Sequence, residues 1–197
     1  MASILVVCTG NVCRSPIAEG LLRAAFQARL GAEAPKLSSA GTMGWTGSGA
    51  DPKSVEAAAE RGVDLSDHRA RELTSRDTDS AILILGMSSE HARSVVAQEP
   101  DAAPRTFTLK ELVRLLEALP PASGGDLAAR VAAADELRSS GFAGNPHDED
   151  VADPLGMPLE SFRAVAWELD EWCARLVDGL LGRSDAAVTT AAGGDER

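Results

Sequence analysis

A thiol and a guanidinium can act together on an oxyanion when a short loop brings them to one point. The stretch Cys8-Thr9-Gly10-Asn11-Val12-Cys13-Arg14-Ser15-Pro16 offers that pairing. Gly10 and Asn11 suit the left-handed backbone that a loop wrapped around an anion requires. Successive N–H groups of such a loop form an anion nest. Arg14 adds a planar fork that matches two oxygens of a phosphate. These groups favour a thiolate at Cys8, set over a cradle for a dianion, which is a nucleophile aimed at phosphorus. Rival chemistries fit less well. The Cys-x4-Cys pair has no second Cys or His pair to complete a metal site. The Gly-x4-Gly-Lys-Ser/Thr pattern of nucleotide-binding loops is missing. A merely structural turn around a buried cysteine is disfavoured by Cys-x5-Arg-Ser-Pro at this position. No metal and no cofactor is expected.

The flanking residues say what positions this loop. Ile4-Leu5-Val6-Val7 reads as a strand. Ser15-Pro16 reads as a cap and first helical position, and Ile17, Ala18, Leu21, Leu22 and Ala25 fall on one helical face behind it. The loop then lies between the carboxyl end of a strand and the amino end of a helix, where open α/β sheets bind ligands and the helix dipole attracts anions. Further along, residues 37–39 read as a strand and Asp51-Pro52 as the start of a helix reaching about 62. The run 81–85 reads as a central strand, and Ser88 or Ser89 caps a helix ending before Pro100. Residues 105–107 read as an edge strand, and Thr108 caps a helix through 119. This alternation predicts βαβ units and a parallel sheet. At Pro120 the pattern changes. Residues 120–150 hold a Pro-Pro, a Gly-Gly, an Ala-rich helical piece at about 126–139 and a polar stretch at 145–150, and read as an insertion. Phe162, Val165, Ala166, Leu169, Trp172, Cys173, Leu176 and Leu180 then give the strongest amphipathic helix. The expected organisation is one domain over 1–182, with a disordered tail at 183–197.

Composition removes other classes of function. A net charge of −11 over 197 residues opposes a general nucleic-acid binder. No apolar run is long enough for a transmembrane helix, no membrane association is expected, and no signal peptide is read at the N-terminus. Three cysteines do not make a disulfide framework, so a reducing cytoplasm is the expected compartment.

The loop resembles the phosphate-binding loop of the low-molecular-weight protein tyrosine phosphatases. The resemblance continues through Ser38-Ser39-Ala40-Gly41-Thr42, Asp67-His68-Arg69-Ala70-Arg71, Gly86-Met87, Phe107-Thr108-Leu109-Lys110-Glu111 and Asp153-Pro154-Leu155-Gly156. It covers roughly 3–119 and 150–182. It implies a four-stranded parallel sheet with helices on both faces, a phosphorylated protein as substrate, and a bacterial tyrosine kinase as the kind of partner. It also implies roles. Cys8 is the nucleophile and forms a cysteinyl-phosphate. Arg14 holds the phosphate oxygens, with Thr9, Gly10, Asn11, Val12, Cys13 and Ser15 completing the loop. Asp153 matches the family's proton donor, whereas Asp51 is explained as a helix cap. Asn11, Ser15, Ser39 and His68 match a hydrogen-bond network that holds the loop's shape. Cys13 matches the second loop cysteine, able to form a reversible disulfide with Cys8, and fits a small buried loop residue equally well.

Substrate preference rests on fewer residues. Trp45 matches the aromatic wall of the site and can stack on a substrate ring. Opposite it, Leu155 stands where relatives often carry Tyr or Phe, and Ser88 stands where many carry Asp. Phosphoarginine phosphatases of the family tend to carry Thr where this chain has Val12. An apolar side chain there cannot hydrogen-bond a guanidinium, so phosphotyrosine is favoured over phosphoarginine. Arsenate reductases of this fold relay oxidation through further mid-chain cysteines, and none lies between Cys13 and Cys173. A non-catalytic phosphate-binding module would have lost its nucleophile or acid, and both are present. His91 and His147 belong to no motif, and Cys173 reads as core packing.

Overall fold

A computed structural model describes residues 2–43, 45–122, 126–142 and 148–183. Four strands form one parallel sheet in the order β2-β1-β3-β4: β1 (Ser3–Cys8), β2 (Lys36–Gly41), β3 (Leu83–Gly86) and β4 (Thr106–Thr108). The apolar run at 4–7 makes β1 a central strand, with Cys8 at its carboxyl end in register with Gly41. A parallel sheet buries both faces, and the alternation along β1 divides its side chains between two cores. Ile4 and Val6 join the larger core with Ile17, Leu22, Phe26, Phe107, Phe162 and Leu169. Leu5 and Val7 join the smaller one with Ile84, Val95 and Ala102.

The larger core is covered by α1 (Arg14–Leu30), α2 (Pro52–Ala59), α5 (Leu109–Ala118), α6 (Leu127–Ser139) and α7 (Leu159–Leu181). On the other face lies α4 (Ser89–Gln98), with the short α3 (Ser75–Ser80) near β1. Most of the caps are those the sequence offers. Asp51 accepts from Lys53 N (2.8 Å) with Pro52 in the first turn of α2. Ser88 caps α4, Thr108 forms a capping box with Glu111, and Asp126 caps α6. The helix α6, inside the expected insertion, is anchored by Arg138. That guanidinium donates to Thr106 O (2.8 Å) and Ala103 O (2.9 Å) and lies 4.0 Å from the Phe107 ring centroid.

Two expectations change. The helix α1 begins at Arg14, not after a Ser15 cap, and its cap residue Cys13 makes no side-chain capping bond. Ser15 is already inside the helix, and its hydroxyl is used by the loop instead. The helix α3 was not expected, although Thr74 and Asp77 form a capping box ahead of it. The expected tail from 184 onward, and residues 145–147 with His147, lie outside the described residues.

Candidate active site

The loop from Cys8 to Ser15 closes over the amino end of α1, and its shape is set by buried polar groups. Asn11 has φ of 55°, and no other non-glycine residue described has a positive φ. Asn tolerates this conformation better than most side chains, and here every polar group of the residue's side chain is satisfied. Its Nδ2 donates to Ser15 Oγ (2.9 Å) and Ser39 Oγ (2.8 Å), and its Oδ1 accepts from Arg71 N (3.1 Å). Its backbone O accepts from His68 Nε2 (2.7 Å), which fixes the imidazole tautomer. Ser39 in turn donates to Glu19 Oε2 (2.6 Å). Ser15 Oγ already accepts from Asn11, so its own O–H is free for Cys8 Sγ at 3.0 Å. Two donor chains thus run outward from Asn11 Nδ2, one through Ser39 to Glu19 and the other through Ser15 to the sulfur of Cys8. Ser39 and His68 both hydrogen-bond to Asn11 of the loop.

Arg14 reaches across to the far end of the chain. Its Nη2 donates to Asp153 Oδ2 (2.6 Å) and its Nη1 to Val151 O (3.1 Å). Its Nε is buried and has no partner among the described residues. A buried guanidinium N–H without an acceptor is costly, and an anion in the loop would remove that cost. Asp153 is half-exposed, and its Oδ1 accepts from Leu155 N (3.1 Å). Cys8, Thr9, Gly10, Val12, Cys13, Arg14, Trp45, Asp153 and Leu155 line one recess of about 60 Å³. Trp45 and Leu155 stand half-exposed at its rim. Gly10 allows the indole to close down, since a Cβ there would lie 3.2 Å from the ring. A larger polar cleft of about 370 Å³, bordered by Glu19, Ser39 and His68, lies behind the loop, and its lining does not include Cys8, Arg14 or Asp153.

The cysteines are free thiols. Burial pushes the Cys13 thiol up to about 12, so it is protonated at neutral pH. Burial also raises Cys173, consistent with packing in the core. Among the described residues, no group of three His, Cys, Asp or Glu side chains is placed to hold a metal ion. No described helix is long and apolar enough to cross a membrane.

One residue escaped the sequence reading. His91 is buried on α4 and shares a hydrogen bond with Thr9 Oγ1 (2.9 Å) through Nε2, while Nδ1 shares another with Ser88 Oγ (2.8 Å). Burial, and after it the charge of Arg14, pushes its pKa down to about 4, so the imidazole is neutral. The available signal was Ser88-x-x-His91, a cap spacing that brings the two side chains together.

Known proteins agree with this geometry. Residues 3–125 match the family model described as low molecular weight phosphotyrosine protein phosphatase. The chain is 42% identical over 112 residues to the probable low molecular weight protein-tyrosine-phosphatase EpsP of Ralstonia solanacearum, covering 56% of this chain and 72% of that protein. It is 33% identical over 177 residues to a protein-arginine-phosphatase of Geobacillus stearothermophilus, covering 90% and 95%. The crystal structure of a low molecular weight protein tyrosine phosphatase from T. tengcongensis superposes with a TM-score of 0.68 at 35% identity, covering 90% of this chain and 99% of that one. A sulfur held by a serine hydroxyl, an arginine reaching the same recess and a matched sequence of this extent have one explanation. The chain belongs to the low molecular weight protein tyrosine phosphatase family, and it is a cysteine-dependent phosphatase.

Proposed function

We propose that Cys8, Arg14 and Asp153 carry out hydrolysis of phosphotyrosine in proteins. The observation that carries this reading is the convergence of Cys8, Arg14 and Asp153 on one recess at the end of β1, with Arg14 Nε buried and without a partner among the described residues. Phosphate enters the loop, where backbone N–H groups, the α1 dipole and Arg14 receive its oxygens. The dianion displaces Asp153 from Arg14, and the freed carboxylate takes up a proton from solvent and turns to the leaving oxygen. Cys8 sulfur attacks phosphorus, the P–O bond to the tyrosine breaks, and Asp153 gives its proton to that oxygen. Asp153, now a carboxylate, takes a proton from water as the water attacks the cysteinyl-phosphate. The S–P bond breaks, inorganic phosphate leaves, and Ser15 O–H stabilises the departing sulfur. Trp45 and Leu155 form the walls for the substrate side chain, and the neutral His91 steadies Thr9.

Residues 1–182 are read as one phosphatase domain carrying the 120–150 insertion, with the cytoplasm as its compartment and a bacterial tyrosine kinase as the kind of phosphoprotein it meets. Three cysteines in the chain, which do not make a disulfide framework, support a reducing compartment. The test is hydrolysis of an aryl phosphate in the presence of EDTA, with vanadate as inhibitor. Cys8→Ser is expected to abolish turnover, and retained activity would end the cysteinyl-phosphate reading. A second reading, phosphoarginine, is favoured by the extent of the match to the arginine phosphatase relative. Parallel assays on phosphotyrosine and phosphoarginine peptides decide between them, and Val12 in the recess supports the first.

A further inference from the structure

The segment that brings Asp153 to the recess is an electrostatic problem. Asp148, Glu149, Asp150 and Asp153 place four carboxylates within six residues of a site for a phosphate dianion. Two cations on one face of α5 meet them. Arg114 pairs with Glu149 and donates to Asp148 O (2.5 Å), and Thr108 Oγ1 donates to Glu149 Oε2 (2.8 Å). Lys110 is more deeply placed, with its side chain 3% exposed. Its Nζ lies 2.9 Å from Asp148 Oδ1, 2.9 Å from Asp150 O and 2.6 Å from Glu168 Oε1 on α7. An ammonium has three N–H donors, and all three have acceptors here. Burial works against its charge, but Glu168 and Asp148 more than compensate, and its pKa lies above the ordinary value.

The contact with Asp150 O differs in kind from the other anchors. That oxygen belongs to the peptide joining Asp150 to Val151. The N–H of the same peptide donates to Met87 O (2.8 Å), at the end of β3. The peptide plane is therefore held from both edges, by Lys110 on one side and by the sheet on the other. The next carbonyl, Val151 O, accepts from Arg14, and Asp153 follows two residues later. Arg114 and Thr108 hold residues 148 and 149 and leave this peptide alone. Ser89 holds the Asp150 side chain through its N (2.7 Å) and Oγ (3.0 Å), and not its carbonyl.

We propose that Lys110 is a positioning residue for Asp153: it fixes the Asp150–Val151 peptide and neutralises the acidic segment, so that Asp153 and Arg14 present to the same phosphate. The proposal rests on Asp153 being the proton donor. Lys110 touches no substrate, so its loss acts through the placement of the acid.

The test uses the full chain and kcat/KM over a series of aryl phosphates, from p-nitrophenyl phosphate, which leaves with little help, to phenyl phosphate, which needs the proton. Lys110→Met keeps the stem and removes the ammonium. It is expected to lower kcat/KM on phenyl phosphate by roughly tenfold and on p-nitrophenyl phosphate by less than about threefold. Inhibition by inorganic phosphate is expected to hold within about twofold, because the loop itself is intact. A loss that is equal across the series, or a drop in Tm with no change in leaving-group dependence, would overturn the positioning role. Lys110→Leu, which likewise removes the donor to Asp150 O, carries the same test if the Met variant does not fold. Asp153→Asn is measured alongside. A steep leaving-group dependence in Asp153→Asn with a flat one in the Lys110 variants removes the Lys110 inference alone. A flat response in Asp153→Asn removes the proton-donor reading and the Lys110 inference with it.

Discussion

Gly41 should be among the least replaceable residues that never touch substrate. It ends β2 beside Cys8, and a Cβ built on it would lie 2.5 Å from Thr9 O, 3.2 Å from Asn11 N and 3.2 Å from Gly10 C. Nothing nearby can yield cheaply. Gly41 N donates to Arg71 O (2.8 Å), and Gly41 O accepts from Leu73 N (2.8 Å). On the loop side, Thr9 O accepts from Met43 N (3.0 Å) and Cys8 O from Thr42 N (2.9 Å). The methyl of Gly41→Ala falls about 1 Å short of the roughly 3.5 Å at which non-bonded contacts become attractive. The obstruction is backbone, so the loop must shift by a similar distance. Overpacking of this size costs about 1–3 kcal/mol, or roughly 3–10 °C in Tm for a chain of this length. A displacement of about 1 Å at the nucleophile costs on the order of 10²-fold in rate. The assay is kcat/KM on p-nitrophenyl phosphate, with inhibition by inorganic phosphate and the Tm measured together. Gly49→Ala is the control, since a Cβ there meets nothing within 4 Å. A folded Gly41→Ala protein with kcat/KM and phosphate inhibition within about twofold of the parent would refute the argument that this contact sets the loop.

Three further outcomes are expected. Val12→Thr adds a hydroxyl to the recess at nearly constant volume, and should raise the phosphoarginine-to-phosphotyrosine ratio of kcat/KM by roughly 10–100-fold; a parent protein that already prefers phosphoarginine peptides contradicts the phosphotyrosine reading. Asp51→Ala should lower stability by about 1 kcal/mol through the lost cap of α2, while Asp51→Asn retains it, and neither should alter leaving-group dependence. His91 titrates near 6.5 when unfolded and at about 4 when folded, so the unfolded chain takes up the proton first as pH falls. The native state is then favoured fully above pH 6.5 and loses up to roughly 3 kcal/mol between 6.5 and 4. Urea denaturation of wild type and His91→Gln across that range checks this, and parallel pH profiles for the two would show that His91 is not responsible.

The fold was legible where periodicity and caps agreed. The run at 4–7, the caps at Asp51, Ser88 and Thr108, the helical piece at 126–139 and the apolar face of α7 are local signals, and the structure has those elements. The loop was legible because Cys8, Asn11, Arg14 and Ser15 are neighbours in sequence as well as in space. Ser15 shows the limit of local reading. As a residue type it reads as a cap, but its hydroxyl is recruited by Asn11 and Cys8, and the helix starts at Arg14 instead. His91 and Lys110 were illegible for a different reason. Each acts on a residue from a distant part of the chain, Thr9 in one case and Asp150 in the other, and no spacing rule connects them. Trp45 and Leu155 were legible as types near the loop, and only the fold shows that they share a recess with Asp153.

The contact between Arg14 and Asp153 joins residues 139 positions apart in the chain. During synthesis the loop emerges early, together with the cysteine that attacks. At roughly 5–20 residues per second, the segment carrying the carboxylate follows about 7–28 s later. For that interval Cys8 and Arg14 are present without Asp153 and without Val151 O to receive the guanidinium. Translation order therefore leaves the recess incomplete until the segment just ahead of α7 has been made.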